Sequence, residues 1–330
     1  MKNVLITGGA GFIGSHLVEN LINDKRIDKI IIIDHLKDGS KKNISHLKKN
    51  KKIKLVKANI NNIASINRYF KNIQVVIHLA AMSDIVPSII EPINYLRTNI
   101  LGTLNVLESM RKNGVKRIIY AASSSCYGMT KTYPTKESDK IDTRYPYSFS
   151  KFTGENLIIH WSKVYKIDYI SLRLFNVYGL RSRTHGAYGA ALGVFLKQKL
   201  SNKSLTIVGN GKQKRDFVNA KDVAEAFNKS IFLKRKNIIF NIGSSNPISV
   251  NYLASLISKR KIKIPKTPGE PDMTFADISK AKKILKWKPK ITIETGISEL
   301  IKNISYWKNA PLWNKKNIKI ATKSWFKYLG

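Results

Sequence analysis

The stretch ITGGAGFIGSH, residues 6–16, stands almost at the start of the chain, and its reading decides how the rest is understood. Gly8, Gly11 and Gly14 sit where the apolar run 2–7 ends and a helical pattern begins at Phe12. Glycine allows a tight turn and a close backbone approach to a ligand, and a helix start offers free N–H groups and the positive end of its dipole to a pyrophosphate. Taken alone, such glycines also fit a plain flexible turn, so their context has to separate the two readings. Asp34 supplies that context. It ends the second apolar run about twenty residues on, where a carboxylate accepts from ribose hydroxyls. The segment therefore reads as a dinucleotide cradle built from Gly8, Gly11, Phe12, Ile13, Gly14 and Asp34. Asp34 also favours NAD, because the 2′-phosphate of NADP would meet like charge.

Outward from this turn, apolar runs at 29–34, 53–57, 74–78, 116–121 and 169–174 alternate with helical periodicity at 12–23, 89–112 and 148–165. That alternation predicts an α/β fold, a Rossmann-type doubly wound parallel sheet. A later run, 238–243, reads as a strand returning to the sheet. Residues 1–176 with a returning segment at about 217–243 form the expected dinucleotide domain. Residues 177–216 and 244–330 form a smaller C-terminal α/β substrate domain.

At 330 residues and 43% hydrophobic, the chain can bury a sizeable core. The run Val4-Leu5-Ile6 is too short for a secretory signal, and no stretch has the roughly 18 apolar residues of a membrane span. The single cysteine, Cys126, rules out an internal disulfide and a multi-cysteine metal site, reads as a small core residue, and favours a cytoplasmic setting. The formal charge of +38 raises the question of nucleic acid. Yet the lysines are scattered, and the dense runs 41–54 and 258–266 lack the interleaved aromatics of a single-strand groove. No nucleic-acid partner and no membrane insertion are expected.

SSSCYG, residues 123–128, follows the fifth run, and Tyr147 and Lys151 come about one helical turn apart soon after. An isolated tyrosine titrates near ~10, and a neighbouring ammonium favours its phenolate. Ser123 could then hold a substrate oxygen while its proton moves.

TGGAGFIG (7–14), HLAA (78–81), TNILGTLNVLE (98–108), SSSCYG, the Tyr147-to-Lys151 pair, LRLFNVYG (172–179), RDFVNAKDV (215–223) and ADISKA (276–281) together resemble the extended short-chain dehydrogenases that act on nucleotide sugars. Within that group the chain is most similar to the UDP-hexose 4-epimerases, in particular those that accept N-acetylhexosamines. The resemblance implies tightly held NAD, a nucleotide-sugar substrate and a homodimer packed through two helices of the larger domain. It implies that Ser123 bonds the sugar 4-hydroxyl, that Tyr147 is the base, and that Lys151 binds the nicotinamide ribose and lowers the tyrosine pKa. By the same resemblance Asn59 and Ile60 touch adenine, while Leu79, Ala80, Ala81 and Asn99, placed at a strand end, line the cofactor. Ser124, Ser125, Asn176, Arg215 and Thr274 fall to the substrate.

The chain also departs from the pattern. Asn59 replaces an aspartate, Leu180 a proline, and Thr267 an arginine that clamps the diphosphate; Lys266, Arg181 and Arg183 are the candidate substitutes. The related 4,6-dehydratases carry Asp-Glu where Ser124 and Ser125 stand, and decarboxylases keep a glutamate at Ser125. A hydroxyl cannot do that acid–base work. The resemblance therefore implies 4-epimerisation through a 4-keto sugar, with Thr274 leaving room for the acetamido group of UDP-N-acetylglucosamine and UDP-N-acetylgalactosamine. A 4-ketoreductase or a 4,6-dehydratase of the same family, and a non-catalytic NAD or nucleotide-sugar sensor, are the alternatives. The tail 306–330 lies beyond the resemblance and is expected to pack its aromatics on the second domain.

Overall fold

A computed structural model describes residues 1–184, 191–266 and 268–329. Its centre is a seven-stranded sheet. Six strands come in chain order: β1 (Lys2–Thr7), β2 (Ile27–Asp34), β3 (Ile53–Lys57), β4 (Val75–His78), β5 (Arg117–Ser123) and β6 (Asp168–Leu174). The seventh, Ile238–Ile242, pairs with β6, so the spatial order is Ile238–Ile242, β6, β5, β4, β1, β2, β3, and every pairing is parallel. β1 and β4 are buried almost throughout because helices cover both faces, which is why they read as unbroken apolar runs.

Leu17, Val18 and Leu21 of the helix Phe12–Ile22 share one core with Val223, Phe227 and Ile231 of the helix Ala220–Phe232. On the opposite face Val106, Leu107 and Met110 pack with Ile158 against Leu5, Val76 and Ile118. A third core gathers Tyr178, Phe195, Leu205, Leu253, Ile297 and Trp307 from the later part of the chain. Ala276, Ile278, Ala281, Leu285 and Trp287 instead join the first core, so the stretch around 276–287 packs with the sheet.

Two expectations change. The helix expected over 89–112 is broken into Ile85–Ile90, Pro92–Leu96, a π-helical turn Arg97–Leu101 and Gly102–Lys112. The residue before a proline is pushed out of helical geometry, and Glu91, ahead of Pro92, sits at φ −125° and ψ 56°. In the tail, Trp307 is buried in the third core, and the buried Trp325 donates to the Pro268 carbonyl at 2.6 Å. The last helix, Lys323–Leu329, however packs against Ile85–Ile90 and leaves Phe326 and Tyr328 exposed.

Candidate active site

In a doubly wound sheet ligands bind at the carboxyl ends of the strands where the strand order reverses, here between β1 and β4. Thr7 and His78 end these strands and are joined through Thr7 Oγ1 and His78 Nδ1 at 2.6 Å, while His78 Nε2 meets Thr103 Oγ1 at 2.9 Å. Burial, with the Lys151 charge adding to it, pushes the imidazole down to about 3, so His78 is a neutral spacer between the two strand ends. Beyond it opens a cavity of about 480 Å³.

The glycine turn forms one end of this cavity. Gly8 has φ +73°, and a Cβ there would lie 2.8 Å from the Ala80 nitrogen. A Cβ on Gly14 would lie 2.2 Å from the Gly8 carbonyl oxygen. The helix beginning at Phe12 has no side-chain cap, and its first internal bond runs from Ser15 N–H to Gly11. The N–H groups of the first turn therefore remain for a ligand. Phe12, Ile13, Asp34, Asn59, Ile60, Leu79, Ala80 and Ala81 line the same space. Asp34 already accepts from Ala10 N–H at 3.0 Å and Leu36 N–H at 2.8 Å, which fixes its carboxylate at the wall. The cradle thus fits a dinucleotide: backbone donors at one end, an oriented carboxylate further along, and no room for side chains at Gly8 and Gly14.

Ser123, Tyr147 and Lys151 converge on this cavity. Tyr147 stands in the first turn of the helix Pro146–Tyr165, where Pro146 presets the geometry and Ser148 Oγ accepts from Tyr145 N–H at 3.2 Å. Burial is the strongest influence on Tyr147 and raises its pKa, while a hydrogen bond from Ser123 acts the other way. Ser123 in turn accepts from Ser125 N–H at 3.2 Å and lies 2.8 Å from Ser125 Oγ, so the serine-rich turn orients it. Lys151 is 4% exposed, with Nζ 4.2 Å from the centre of the Tyr120 ring. Burial pushes its ammonium down to about 7, against the opposing charge of Glu155. The tyrosine is accordingly raised in this structure, where the sequence pointed to a lowered value: desolvation outweighs the support it receives.

One turn beyond Lys151, Glu155 is paired with Arg173 at 2.6 Å, and the two side chains are 2% and 5% exposed. Ser171 also donates to Glu155, at 2.6 Å. Arg173→Leu strands the carboxylate in the core, and is expected to cost about 3–5 kcal/mol, read as a lower midpoint in chemical denaturation.

Several candidate residues lie off the cavity wall. Asn99 is in the π-helical turn, not at a strand end; it donates to the Met82 carbonyl at 3.0 Å and to Ser150 Oγ at 2.9 Å, and accepts from Met82 N–H at 2.8 Å. Ser124 and Ser125 belong to the turn Ser124–Tyr127 behind Ser123. Thr274 Oγ1 donates to Asn176 Oδ1 at 2.9 Å, Thr274 N–H bonds the carbonyl of Lys214 at 3.1 Å, and the next residue, Arg215, places Nη2 3.7 Å from Glu270 Oε2. Thr267 lies outside the described residues. Of its candidate substitutes, Lys266 pairs with Asp272, Arg181 with Glu19, and Arg183 with Asp38 and Asp84. Burial pushes the Cys126 thiol up to about 12, as befits a core residue.

Sequence reasoning missed Trp307, Ala310, Pro311 and Trp313, which bring the tail to the cavity wall, and the carboxylates Asp38 and Asp84 that meet Arg183 there. No motif marks them. Among the described residues no helix is long and apolar enough to cross a membrane, and no group of three or more His, Cys, Asp or Glu could hold a metal ion.

A glycine cradle at the sheet's reversal point, facing a serine, a tyrosine and a lysine, defines the short-chain dehydrogenase class. The family described as GDP-mannose 4,6 dehydratase matches residues 5–300, and the chain belongs to it, among the extended short-chain dehydrogenases. A Methanocaldococcus jannaschii protein provisionally named UDP-glucose 4-epimerase is 39% identical over 90% of this chain and 97% of its own length. The UDP-N-acetylglucosamine 4-epimerase of Methanobrevibacter ruminantium, solved with UDP-N-acetylmuramic acid, superposes with a TM-score of 0.85 at 30% identity, covering 93% of this chain and 98% of that one. The UDP-glucuronic acid 4-epimerase of Bacillus cereus, solved with UDP-glucuronic acid and NAD, gives 0.84 at 30% identity, covering 92% and 99%.

Proposed function

We propose that the protein is an NAD-dependent 4-epimerase of a UDP-hexose, with UDP-N-acetylglucosamine and UDP-N-acetylgalactosamine as its substrate pair. The observation that carries this reading is the convergence of Ser123, Tyr147 and Lys151 on the cradle's cavity, beside a turn whose Ser124 and Ser125 bring no carboxylate. Dehydration and decarboxylation need that additional acid or base; epimerisation does not.

The first helical turn after Gly11 would hold the NAD pyrophosphate, Asp34 a ribose, and Lys151 the nicotinamide ribose. Bound there, NAD supplies the hydride acceptor and donor for C4. Ser123 orients the 4-hydroxyl. Tyr147 accepts its proton as C4 becomes a ketone and returns the proton when C4 is reduced from the opposite face. The enclosing wall keeps the keto sugar from solvent while it turns. An ammonium arriving within reach of the phenol on cofactor binding would oppose the desolvation that raises Tyr147. Turnover without any added reductant supports the epimerase; a stoichiometric need for NADPH would instead mark a 4-ketoreductase.

For substrate size we take Thr274 as the determinant: it bonds Asn176, and its small side chain leaves room beside C2 of the sugar that a bulkier one would fill. Thr274→Tyr is expected to remove turnover of UDP-N-acetylglucosamine and spare UDP-glucose, measured as the ratio of kcat/KM values. Equal loss on both sugars would dismiss this role.

The division into a dinucleotide domain (1–176 and 217–243) and a substrate domain (177–216 and 244–330) remains our reading, supported by the third core, with the stretch around 276–287 docked on the sheet. A homodimer is proposed on the exposed apolar residues Ile90, Ile93 and Leu101 of the broken helical stretch from Ile85 to Leu101 and Phe149 and Val164 of the helix Pro146–Tyr165. The buried, unpaired Cys126 accords with a cytoplasmic setting.

A further inference from the structure

One charged cluster in the cavity has no part in the chemistry above. Arg183 places Nη1 3.1 Å from Asp38 Oδ1, and its Nη2 bonds Asp84 Oδ2. All three residues line the cavity that contains Tyr147. One guanidinium against two carboxylates leaves a formal excess of one negative charge, in a chain whose total is +38.

The loop that carries Asp84 is fixed at three successive residues. Met82 is held by Asn99 through both its N–H and its carbonyl. The Ser83 carbonyl accepts from Tyr95 Oη, and the Tyr95 ring meets that of Tyr147 edge-on, with centroids 6.4 Å apart. Asp84 itself is held by Arg183 and has φ +82°, a region that side chains seldom adopt. Strain of this kind persists only where its surroundings over-determine it, and it gathers at ligand sites.

Resting on the 4-epimerase reading, we propose that Asp84, with Asp38 and Arg183, is a specificity determinant that admits uncharged sugars and rejects sugars bearing a carboxylate. A uronate would add a third negative charge to a cluster whose single guanidinium is already shared. For Arg183 to reach it, the arginine must leave Asp84, stranding a carboxylate that is three-quarters shielded from solvent. A hydroxymethyl or acetamido group meets no such conflict, and its O–H or N–H can donate to a carboxylate oxygen. The chain's overall positive field attracts every nucleotide sugar through its diphosphate and, of itself, favours the extra charge of a uronate, so it cannot be the source of rejection. Discrimination falls to the local carboxylates, which act by repelling the wrong substrate.

The experiment compares kcat/KM for UDP-glucose, UDP-N-acetylglucosamine and UDP-glucuronate in the NAD-loaded wild type and in Asp84→Asn, with dissociation constants of UDP-glucose and UDP-glucuronate measured by calorimetry on the same samples. Asparagine keeps the shape and tolerates positive φ. The wild type is expected to favour uncharged sugars by about tenfold or more, and Asp84→Asn to narrow that ratio by about tenfold. A wild type that handles UDP-glucuronate as well as UDP-glucose overturns the proposal, as does an unchanged ratio in Asp84→Asn. If the wild type epimerises none of the sugars, the 4-epimerase reading fails, and the ratio of dissociation constants still decides the charge proposal. Asp38→Asn, at a more exposed position, is expected to narrow the ratio in the same direction and decides the matter if Asp84→Asn does not fold.

Discussion

Tyr147→Phe is expected to lower epimerisation by about a thousandfold or more while leaving the protein folded and able to bind NAD and nucleotide sugar. The substitution removes one hydroxyl and keeps the ring, so the edge-on contact with Tyr95 and the packing at the start of the helix Pro146–Tyr165 survive. What is lost is the one oxygen that shares the cavity with Ser123 and is bonded to it. Ser123 is too weak a base at neutral pH to take over, and Lys151 is committed to the nicotinamide ribose in the proposed complex. Calorimetry should give dissociation constants for the UDP-sugar within a few-fold of wild type, since the proton-moving group acts mainly in the transition state. Activity near that of the wild type would remove Tyr147 from the mechanism.

Gly14→Ala is expected to damage cofactor binding and stability together. The added Cβ would fall 2.2 Å from the Gly8 carbonyl oxygen and 2.7 Å from the Gly9 Cα. Both are backbone atoms of the cradle, so relief requires the turn itself to open. Overpacking of this kind costs typically 1–3 kcal/mol, and here the displaced atoms belong to the turn that presents N–H groups to the pyrophosphate. NAD affinity should fall at least about tenfold, with a lower melting temperature, both readable by calorimetry and thermal denaturation. Wild-type affinity in this variant would mean that the pyrophosphate does not sit on this turn.

The parts of the site that were legible in the sequence are those set by local chemistry. Gly8 to Gly14 announce a turn without side chains, Asp34 closes the strand that follows, and Tyr147 and Lys151 share a helical face; the structure brings all of them to one cavity. The apolar runs also marked every strand of the central sheet, because strands covered on both faces carry little but apolar residues. The break at Pro92 was visible in principle, but the apolar periodicity on either side of it masked the stop. Legibility ends where a residue's role is set by partners far along the chain. Arg183 meets Asp38 and Asp84 across separations of 145 and 99 residues, and Trp307 and Trp313 reach the cavity from a tail without a motif. Asn99 shows the same limit: its place in a π-helical turn and its grip on Met82 arise from packing, not from its neighbours in sequence.

The central claim, redox-neutral inversion at C4 of a UDP-hexose, is tested most directly by following UDP-N-acetylglucosamine by NMR in the presence of the purified protein and NAD, with no reductant. The account predicts that the galacto epimer appears and rises to a constant ratio that is also reached from UDP-N-acetylgalactosamine. An unchanged spectrum with this sugar and with UDP-glucose, or conversion only when NADPH is supplied and consumed, would contradict it.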